Sequence, residues 1–292
     1  MDQLSPVPWH VLHTPEMGLE IVRPAGEGTN LVYSLPHSGR YYPDSFVAEA
    51  RLSGTTLRLS EDAWVDDMVA LSPELGVYGL IGRYARAFCD VNRNPLELDA
   101  RLIRGELPKA ALSLSARVKA GFGVIARRLS ADLDIYRQPL DMAEVSRRIE
   151  LIHRPYHTAL HGLLREAGRN NRVRLIDWHS MPSSALLHPS VSGTRPDIVL
   201  GTLHGESSSE GFVNQVKRVL EKEGLRVGLN RPFAGGYIVE KYGRPSAGVD
   251  ALQIEINRAI YMDEATLEAH SGLGKLREVF RKLTVALVDE AS

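Results

Sequence analysis

Four short polar motifs follow apolar runs in this chain, and their residue types are those found at catalytic sites. The motifs are PHSG (36–39), DVNR (90–93), DWHS (177–180) and QIEINR (253–258). A short apolar run that stops abruptly is typical of a buried strand. Open α/β sheets place ligands beyond the carboxyl ends of such strands, so these motifs predict one site assembled from distant segments. Their side chains could supply a metal site, a general base and an anion-binding group, which favours a hydrolase.

His37 and His179 are the candidate metal ligands, because each follows a predicted strand and precedes a serine. With 10 histidines in the chain, a residue that only forms ordinary hydrogen bonds is the common alternative. Catalytic zinc takes three protein ligands from His, Asp and Glu and leaves one position for water. Glu61, Asp62 and Asp66 are all candidates for the third ligand, although an acid at a helix start can also act as a cap or interact with the helix dipole. The sequence contains no HExxH motif, which excludes a thermolysin-type site.

Charged residues in the other two motifs indicate anion binding and proton transfer. Arg86, Asn92 and Arg93 cluster around one predicted strand. Arginine suits bidentate binding of a carboxylate, and asparagine adds a neutral donor, although surface ion pairing is the more common role of a single arginine. Glu255 lies inside the apolar run LQIEIN, where an unpaired carboxylate is costly. It therefore either pairs with a cation such as Arg258 or serves as an acid or base at an open cleft.

A turn with paired glycines is the last candidate element of the site. The sequence FAGGY (233–237) contains Gly236 and Tyr237, which are candidate substrate contacts. Paired glycines let the backbone approach a ligand closely, but an ordinary loop would explain the same residues.

Strand-like and helix-like segments alternate along the chain, which predicts a three-layer α/β/α fold. The long amphipathic helix at 141–165 should be interrupted at Pro155, because proline cannot continue the helical hydrogen bonding. The predicted strands lie at 19–22, 30–35, 77–81, 87–91, 172–176, 198–202 and 251–256. The predicted helices lie at 43–51, 62–71, 141–165, 209–223 and 265–289.

Residues 96–138 depart from this alternation. They are rich in charged and small residues and show no strand periodicity. This pattern predicts a helical insertion outside the central sheet, with a helix near 112–129, within a single domain that spans 1–292. The insertion could serve as a lid or as a dimerisation element, and the sequence leaves both open.

The composition is that of an ordinary globular protein, with 43% hydrophobic and 24% charged residues. A net charge of −1 gives no reason to expect nucleic acid or an anionic membrane as a partner. The single cysteine, Cys89, excludes an intramolecular disulfide and fits a reducing compartment. Residues 1–18 lack the pattern of a signal peptide, and no stretch is apolar enough to span a membrane. The sequence therefore predicts a soluble, cytoplasmic protein.

Taken together, the motifs resemble those of the N-formylglutamate amidohydrolases, or N-formylglutamate deformylases, which share their architecture with zinc carboxypeptidases and aspartoacylase. The resemblance runs from about residue 30 to residue 265 and is weakest across 96–138. Eight motifs in this order carry it: PHSGRYYP (36–43), EDAWVDDM (61–68), RYARAFCDVNRNP (83–95), RPYH (154–157), IDWHSMP (176–182), DIVLG (197–201), NRPFAGGY (230–237) and LQIEINRAIYM (252–262).

The resemblance implies a central mixed, largely parallel sheet and one Zn²⁺ ion. The ion would be held by His37, His179 and a carboxylate, for which Asp62 is favoured over Glu61 and Asp66. No partner is implied beyond a small N-formyl amino acid substrate, although a homo-oligomer stays open.

The same resemblance implies roles for the remaining residues. Glu255 matches the general base, Arg86 the residue that polarises the carbonyl, and Asn92 with Arg93 the clamp for the substrate carboxylate. The reaction would be hydrolysis of N-formyl-L-glutamate to formate and L-glutamate, a late step of histidine degradation.

Two alternatives stay open at this point. The first is a deformylase or deacylase of another N-acyl amino acid, with the side-chain pocket drawn from Tyr237, Arg244 and His157. The second is a non-catalytic binding protein on the same fold.

Overall fold

The structure is a computed structural model that describes residues 18–69, 71, 73–168, 172–188, 191 and 193–289. The segment 1–17, on which the prediction of no signal peptide depends, lies outside the described residues. The strands are β1 Leu19–Val22, β2 Leu31–Leu35, β3 Tyr78–Gly82, β4 Ile103–Arg104, β5 Arg128–Ser130, β6 Leu133–Asp134, β7 Leu140–Asp141, β8 Val173–Met181, β9 Ile198–Gly201, β10 Val227–Leu229 and β11 Val249–Asn257.

The α-helices are distributed between these strands. They are α1 Asp44–Glu49, α2 Gly54–Arg58, α3 Val65–Val69, α4 Ala116–Ala120, α5 Met142–Arg148, α6 Arg154–Ala167, α7 Glu210–Lys222, α8 Tyr237–Tyr242 and α9 Gly272–Asp289. Within the described part of the chain, no helix is both long enough and apolar enough to cross a membrane.

Seven of the strands form one mixed sheet in the order β1–β3–β2–β8–β11–β9–β10. The β1–β3 and β11–β9 pairs are antiparallel, and the other neighbouring pairs are parallel. This confirms the predicted central mixed, largely parallel sheet.

Each face of the sheet has its own apolar core, because successive side chains of a strand point to opposite faces. Leu31, Tyr33 and Leu35 of β2 lie on one face, in the core that includes α3, α7 and α9. Val32 lies in the other core, which includes α5, α6 and α8. Helices therefore cover both faces, and the three-layer α/β/α prediction is confirmed.

The face covered by α6 and α8 becomes polar toward the carboxyl ends of β8 and β11. Asp177 and His179 of β8 are two residues apart and share this face, and Gln253 and Glu255 of β11 do the same. The parallel register pairs Gln253 with Asp177 and Glu255 with His179. All four residues are buried. The sheet thus presents a compact block of buried polar groups at the edge where the sequence predicts a site.

The strand predicted at 87–91 is wrong. The backbone N–H groups of Phe88 and Cys89 both donate to the carbonyl of Ala85, so this segment forms a turn. Its apolar side chains still enter the core beside α6, because burial depends on the position of a side chain and not on the type of backbone that carries it. The apolar run at 87–91 therefore predicted correctly that its side chains are buried, but predicted a strand where the backbone forms a turn.

Residues 96–138 lie outside the central sheet, as predicted, but the helical structure predicted for them is wrong. The segment contains one five-residue helix, α4, while β4 pairs with β7 and β5 pairs with β6 in two small ladders. In the described residues these ladders are separate from the seven-stranded sheet. Buried carboxylates organise the loops instead of a long helix: Asp99 accepts hydrogen bonds from Arg101 and Arg127, and Glu97 accepts one from Ser115.

The predicted interruption of the helix at 141–165 takes the form of a widened turn. A π-helical turn, Ile149–His153, joins α5 to α6, and Pro155 lies in the first turn of α6. Proline has no N–H to donate and its ring crowds the carbonyl four residues earlier, so a wider turn relieves the conflict. The turn ends at His153 and precedes His157, and both histidines contact the segment that carries Asn92.

Candidate metal centre and active site

His37, Asp62 and His179 form a buried group in which one ligand atom from each residue lies within 4.8 Å of the others. His37 follows β2, and His179 lies near the end of β8. Asp62 precedes α3, and its backbone N–H donates to the carbonyl of His37 at 3.0 Å. The three side chains are at most 3% exposed. The two predicted histidines therefore meet, and the carboxylate beside them is Asp62.

The other two acidic candidates are engaged elsewhere. Glu61 accepts a hydrogen bond from Tyr42 at 2.8 Å and pairs with Arg58 at 3.2 Å. Asp66 pairs with Arg40 and Arg83 on the outer side of α3. Consecutive acids point in different directions here because the chain turns sharply before α3.

The donor atoms of the His37–Asp62–His179 group fit a small divalent cation. Nδ1 of His179 lies 2.9 Å from Oδ2 of Asp62, and Nδ1 of His37 lies 3.5 Å from the same oxygen. Tetrahedral zinc with bonds of about 2.1 Å holds its ligand atoms about 3.4 Å apart. Nδ1 of His37 is buried and has no hydrogen-bond partner among the described residues. A buried lone pair without a partner is costly, and a bound cation would satisfy it.

Each histidine is held by a carboxylate through its other ring nitrogen. Nε2 of His37 donates to Asp90 at 2.7 Å, and Nε2 of His179 donates to Asp177 at 2.8 Å. This leaves Nδ1 of both rings directed at Asp62. Metal-binding histidines are commonly oriented in this way, because the carboxylate fixes both the ring and its tautomer.

Asp62 and Asp90 stay ionised despite their burial. Burial opposes ionisation of Asp62, but the hydrogen bond from His179 and the nearby His37 ring hold its pKa well below the ordinary value. Burial likewise opposes ionisation of Asp90, and Arg86 and His37 reverse the effect, so its pKa is also well below ordinary. Burial disfavours the charged form of His179, but Asp177 and Asp62 raise its pKa well above the ordinary value. The centre is thus prepared to stabilise positive charge.

Arg258 connects the end of β11 to the loop that carries Asp62. Its Nη2 donates to Oδ1 of Asp62 at 3.0 Å and to the carbonyl of Glu61 at 2.7 Å, while Nη1 donates to the carbonyl of Leu59. Its Nε donates to Oγ of Ser180 at 3.1 Å. Arg258 therefore occupies one oxygen of Asp62 and leaves Oδ2 directed at the histidines.

Glu255 lies beside the centre, in register with His179. Its Oε1 accepts a hydrogen bond from Gln253 at 2.7 Å, and Gln253 in turn accepts one from the N–H of Gly236. Burial raises the pKa of Glu255 to about 7, although His179 and Arg86 oppose the rise. In the described residues, Arg258 donates to Asp62 and to backbone carbonyls and not to Glu255, so the alternative of a Glu255–Arg258 hydrogen-bonded pair is not found.

Arg86 lies beside Asp90 and Asp62 at the centre. Its Nη2 donates to Asp90 at 2.8 Å, and Nη1 lies 3.9 Å from Asp62. Burial disfavours its charge, but Asp90 and Asp62 raise its pKa above the ordinary value. The guanidinium therefore remains charged next to the candidate ligands.

Both the nitrogen and the oxygen of the Asn92 side-chain amide are hydrogen-bonded within the site. Nδ2 donates to Asp177 at 3.1 Å and lies 3.0 Å from Nε2 of His179, and Oδ1 accepts a hydrogen bond from the N–H of Ile238 at 2.7 Å. The neighbouring Arg93 donates only to the carbonyls of Phe122 and Asn92 among the described residues. Arg93 thus keeps donor capacity for a ligand, whereas the amide of Asn92 is used within the protein.

Two histidines of α6 and the preceding turn hold the backbone around Asn92. His153 lies 2.8 Å from the carbonyl of Arg93, and His157 lies 2.9 Å from the carbonyl of Val91. Burial lowers the pKa of both imidazoles, that of His157 to about 3, so both are neutral at physiological pH. His157, a candidate for the side-chain pocket, is therefore committed to supporting the 91–93 segment.

The FAGGY turn packs directly on Asn92. A Cβ atom at Gly236 would lie 2.5 Å from Nδ2 of Asn92, which leaves no room for a side chain. The next residue, Tyr237, begins α8 and lies beside His157, with 5.3 Å between ring centroids. Arg244 donates to the carbonyl of Glu240 and is bound to its own helix end. Of these candidates, Gly236 and Tyr237 are adjacent to the site.

Sequence reasoning gave no role to Asp90, Asp177 or Gln253, although each lies in one of the four motifs. A signal for two of them was present. In a strand, residues two apart share a face, so Asp177 had to accompany His179 and Gln253 had to accompany Glu255. For Asp90 no such signal exists, because the segment is not a strand.

The fold and the centre together define a class: a three-layer α/β protein whose buried group of two histidines and one carboxylate matches the ligand set of hydrolytic zinc sites. The chain belongs to the N-formylglutamate amidohydrolase family, whose model matches residues 29–262. The resemblance found in the motifs is thereby confirmed.

Individual relatives agree with this assignment. The chain is similar to N-formylglutamate deformylase of Pseudomonas putida, with 28% identity over 80% of this chain and 82% of the relative. It is similar to N-formylglutamate deformylase of Pseudomonas aeruginosa, with 28% identity over 88% and 92% of the two chains. The crystal structure of N-formylglutamate amidohydrolase from Ralstonia eutropha is 33% identical, covers 94% of this chain and 98% of its own, and has a TM-score of 0.88.

Proposed function

We propose that this protein is a zinc-dependent hydrolase that cleaves the amide bond of N-formyl-L-glutamate and releases formate and L-glutamate. The observation that carries the metal dependence is the unpartnered Nδ1 of His37, which is buried and directed at Asp62. The names of the relatives support the substrate. The lone buried Cys89 is compatible with a cytoplasmic enzyme of histidine degradation.

His37, Asp62 and His179 would hold the zinc ion. When bound, zinc lowers the pKa of a water molecule and polarises the formyl carbonyl group. Asp90 and Asp177 keep the two imidazoles oriented, so that each presents Nδ1.

Glu255 is the proposed general base. It lies next to His179 in the sheet and is held by Gln253, so its carboxylate is fixed before substrate arrives. Glu255 accepts a proton from the attacking water molecule as the water oxygen bonds to the formyl carbon. It then returns the proton to the amide nitrogen as the C–N bond breaks. Arg86 stabilises the negative charge that develops on the formyl oxygen.

Arg93 is the proposed ligand of the substrate α-carboxylate. It is partly buried and retains unused N–H donors next to Asn92. Asn92 then serves to position His179 and the start of α8, because its amide is hydrogen-bonded to both.

Zinc removal together with a substrate panel tests the proposal. Dialysis against a chelator should abolish formate release from N-formyl-L-glutamate, and stoichiometric zinc should restore it. N-formyl-L-glutamate should be turned over faster than N-formyl derivatives of neutral amino acids. Full activity of the chelator-treated, metal-free protein would refute metal dependence. Preference for another N-acyl amino acid would support the alternative of a related deacylase.

A further inference from the structure

Three arginines lie close enough to interact near the site, and among the described residues only Arg86 forms an ion pair with an acid. Arg86 pairs with Asp90. Arg93 and Arg117 form no ion pair with a carboxylate among the described residues, although they are close enough to affect each other electrostatically. Burial lowers the pKa of Arg93; Asp90 and Glu97 oppose this change, and the positive charges of Arg86 and Arg117 add to it. A guanidinium that lies near other cations and has no ion pair of its own favours an anionic ligand.

Arg117 is held in place by the segment 96–138. It lies in α4, whose first turn is capped by Ser115: the Ser115 hydroxyl accepts from the N–H of Val118 and donates to Glu97. The end of the helix is fixed by Arg101, which donates to the carbonyls of Val118 and Lys119 at 2.8 Å each. Because both ends of this short helix are held by hydrogen bonds, the backbone position of Arg117 is fixed.

The guanidinium of Arg117 reaches the wall of the site. Its Nη2 donates to the carbonyl of Gly235 at 3.2 Å. Gly235 is followed by Gly236, which packs on Asn92, and Asn92 contacts His179. Arg117 is thus linked to the candidate metal centre through one turn and one side chain.

The proposed substrate carries two carboxylates, one on the α-carbon and one at the end of its side chain. Arg93 accounts for only one of them. We propose that Arg117 binds the side-chain carboxylate of the substrate and thereby selects a dicarboxylic N-formyl amino acid over a neutral one. This inference rests on the proposed function and adds a specificity role for the segment 96–138.

The proposed selectivity arises because a neutral substrate would leave the Arg117 guanidinium without an anionic partner. N-formyl-L-glutamine has nearly the same shape as N-formyl-L-glutamate but leaves the guanidinium without an anionic partner. A hydrogen bond to a charged group contributes about 1.5–3 kcal/mol, which corresponds to about 10- to 100-fold in binding. The discrimination should therefore depend on Arg117 and appear mainly in KM.

The test compares Arg117→Gln with Lys119→Gln, an exposed neighbour in α4 that keeps the backbone contacts of the helix. The kinetic measurement is kcat/KM for N-formyl-L-glutamate and N-formyl-L-glutamine on the zinc-loaded enzymes. Arg117→Gln should lose about 10- to 100-fold on the first substrate, chiefly through KM, and little on the second. Lys119→Gln should match the wild type. An equal loss on both substrates, or none on either, would overturn the specificity role.

A binding measurement separates this inference from the proposed reaction. Calorimetry with L-glutamate and L-glutamine requires no turnover. The wild type should bind glutamate more tightly, and Arg117→Gln should remove the difference. If the wild type hydrolyses neither formyl compound, the proposed reaction fails, and calorimetry still decides the role of Arg117. Retention of the glutamate preference in Arg117→Gln would refute that role even in an active enzyme.

Discussion

Nδ1 of His37 lies 3.5 Å from Oδ2 of Asp62, while Nε2 of the same ring is bound to Asp90 at 2.7 Å. The imidazole is therefore held by a hydrogen bond at Nε2, whereas Nδ1 has no hydrogen-bond partner among the described residues. His179 is likewise bound to Asp177 through Nε2, but its Nδ1 is hydrogen-bonded to the same oxygen of Asp62 at 2.9 Å. Two rings converge on one carboxylate oxygen, and the position of each depends on an acid that is not itself a ligand.

Asp90→Asn should weaken metal binding without removing a ligand. The amide still accepts a hydrogen bond from His37, but it carries no charge and no longer pairs with Arg86. Loss of such an orienting carboxylate typically reduces metal affinity by about 10- to 100-fold. Competition with a chromogenic chelator measures the change. Asp66→Asn is the matched control, because Asp66 contacts Arg40 and Arg83 but neither histidine. Unchanged affinity in Asp90→Asn would show that His37 is not held as described.

Glu255→Gln should retain zinc and lose turnover. Glutamine keeps the shape of the side chain but cannot accept a proton, so kcat should fall by about 10²–10⁴-fold. Zinc content is measured by elemental analysis, and formate release gives the rate. The exposed Glu268→Gln serves as the control. If Glu255→Gln turned over at the wild-type rate per zinc-loaded molecule, the proposed proton acceptor would be a different group.

Gly236→Ala should disturb the site while leaving the fold intact. The added methyl group would lie 2.5 Å from the Asn92 amide, so that amide has to shift, which disturbs its contacts with His179 and Asp177. A displacement of about 1 Å near a reacting centre can cost about 10²-fold in rate. Gly211→Ala is the control, because a Cβ at that helical position meets no atom within 4 Å. Circular dichroism should be unchanged in both variants, and normal kcat/KM in Gly236→Ala would contradict the tight packing.

Asp99→Asn should destabilise the protein at neutral pH and weaken its sensitivity to acid. Burial opposes ionisation of Asp99, but hydrogen bonds from Arg101 and Arg127 lower its pKa below the ordinary value. The folded state then binds fewer protons than the unfolded state, so this stabilisation is present at neutral pH and is lost as the pH falls through the lowered pKa. Loss of such a charged acceptor typically costs about 1–3 kcal/mol.

Urea unfolding at neutral and at acidic pH measures this effect. Asp132→Asn provides the comparison, because Asp132 is exposed in the same segment. The difference between Asp99→Asn and the wild type should shrink as the pH is lowered. A difference that is constant with pH would mean that the charge of Asp99 is not what orders the segment.

The sequence predicted the parts of the fold that depend on apolar periodicity. The central strands and the flanking helices are fixed by which residues can be buried, and that pattern is visible in the chain. It also located His37, His179 and Glu255, because each follows or interrupts an apolar run. Asp62 was favoured over its neighbours through resemblance. Local pattern could not separate the three acids, because the direction of each side chain depends on the turn before α3.

The segment 96–138 could not be predicted in the same way. Its order comes from side-chain hydrogen bonds between residues that are far apart, such as Arg127 with Asp99 and Arg101 with the carbonyl of Val118. Hydrogen bonds of this kind do not produce a repeating pattern of residue types, so they cannot be recognised from the sequence. The turn at 85–91 was mispredicted for a different reason. Its sequence is as apolar as that of a buried strand, but its backbone hydrogen bonds join residues three or four positions apart.

The three residues of the candidate metal centre stand at positions 37, 62 and 179, in segments that meet only when the central sheet is assembled. The unfolded chain therefore has no equivalent binding site, so binding of the proposed zinc ion would tie the folding equilibrium to the free concentration of that ion. An ion at 100 times its dissociation constant adds about 2.7 kcal/mol to the free energy of unfolding. On the proposed function, the melting temperature should therefore depend on the medium as well as on the protein and should rise with the supply of zinc.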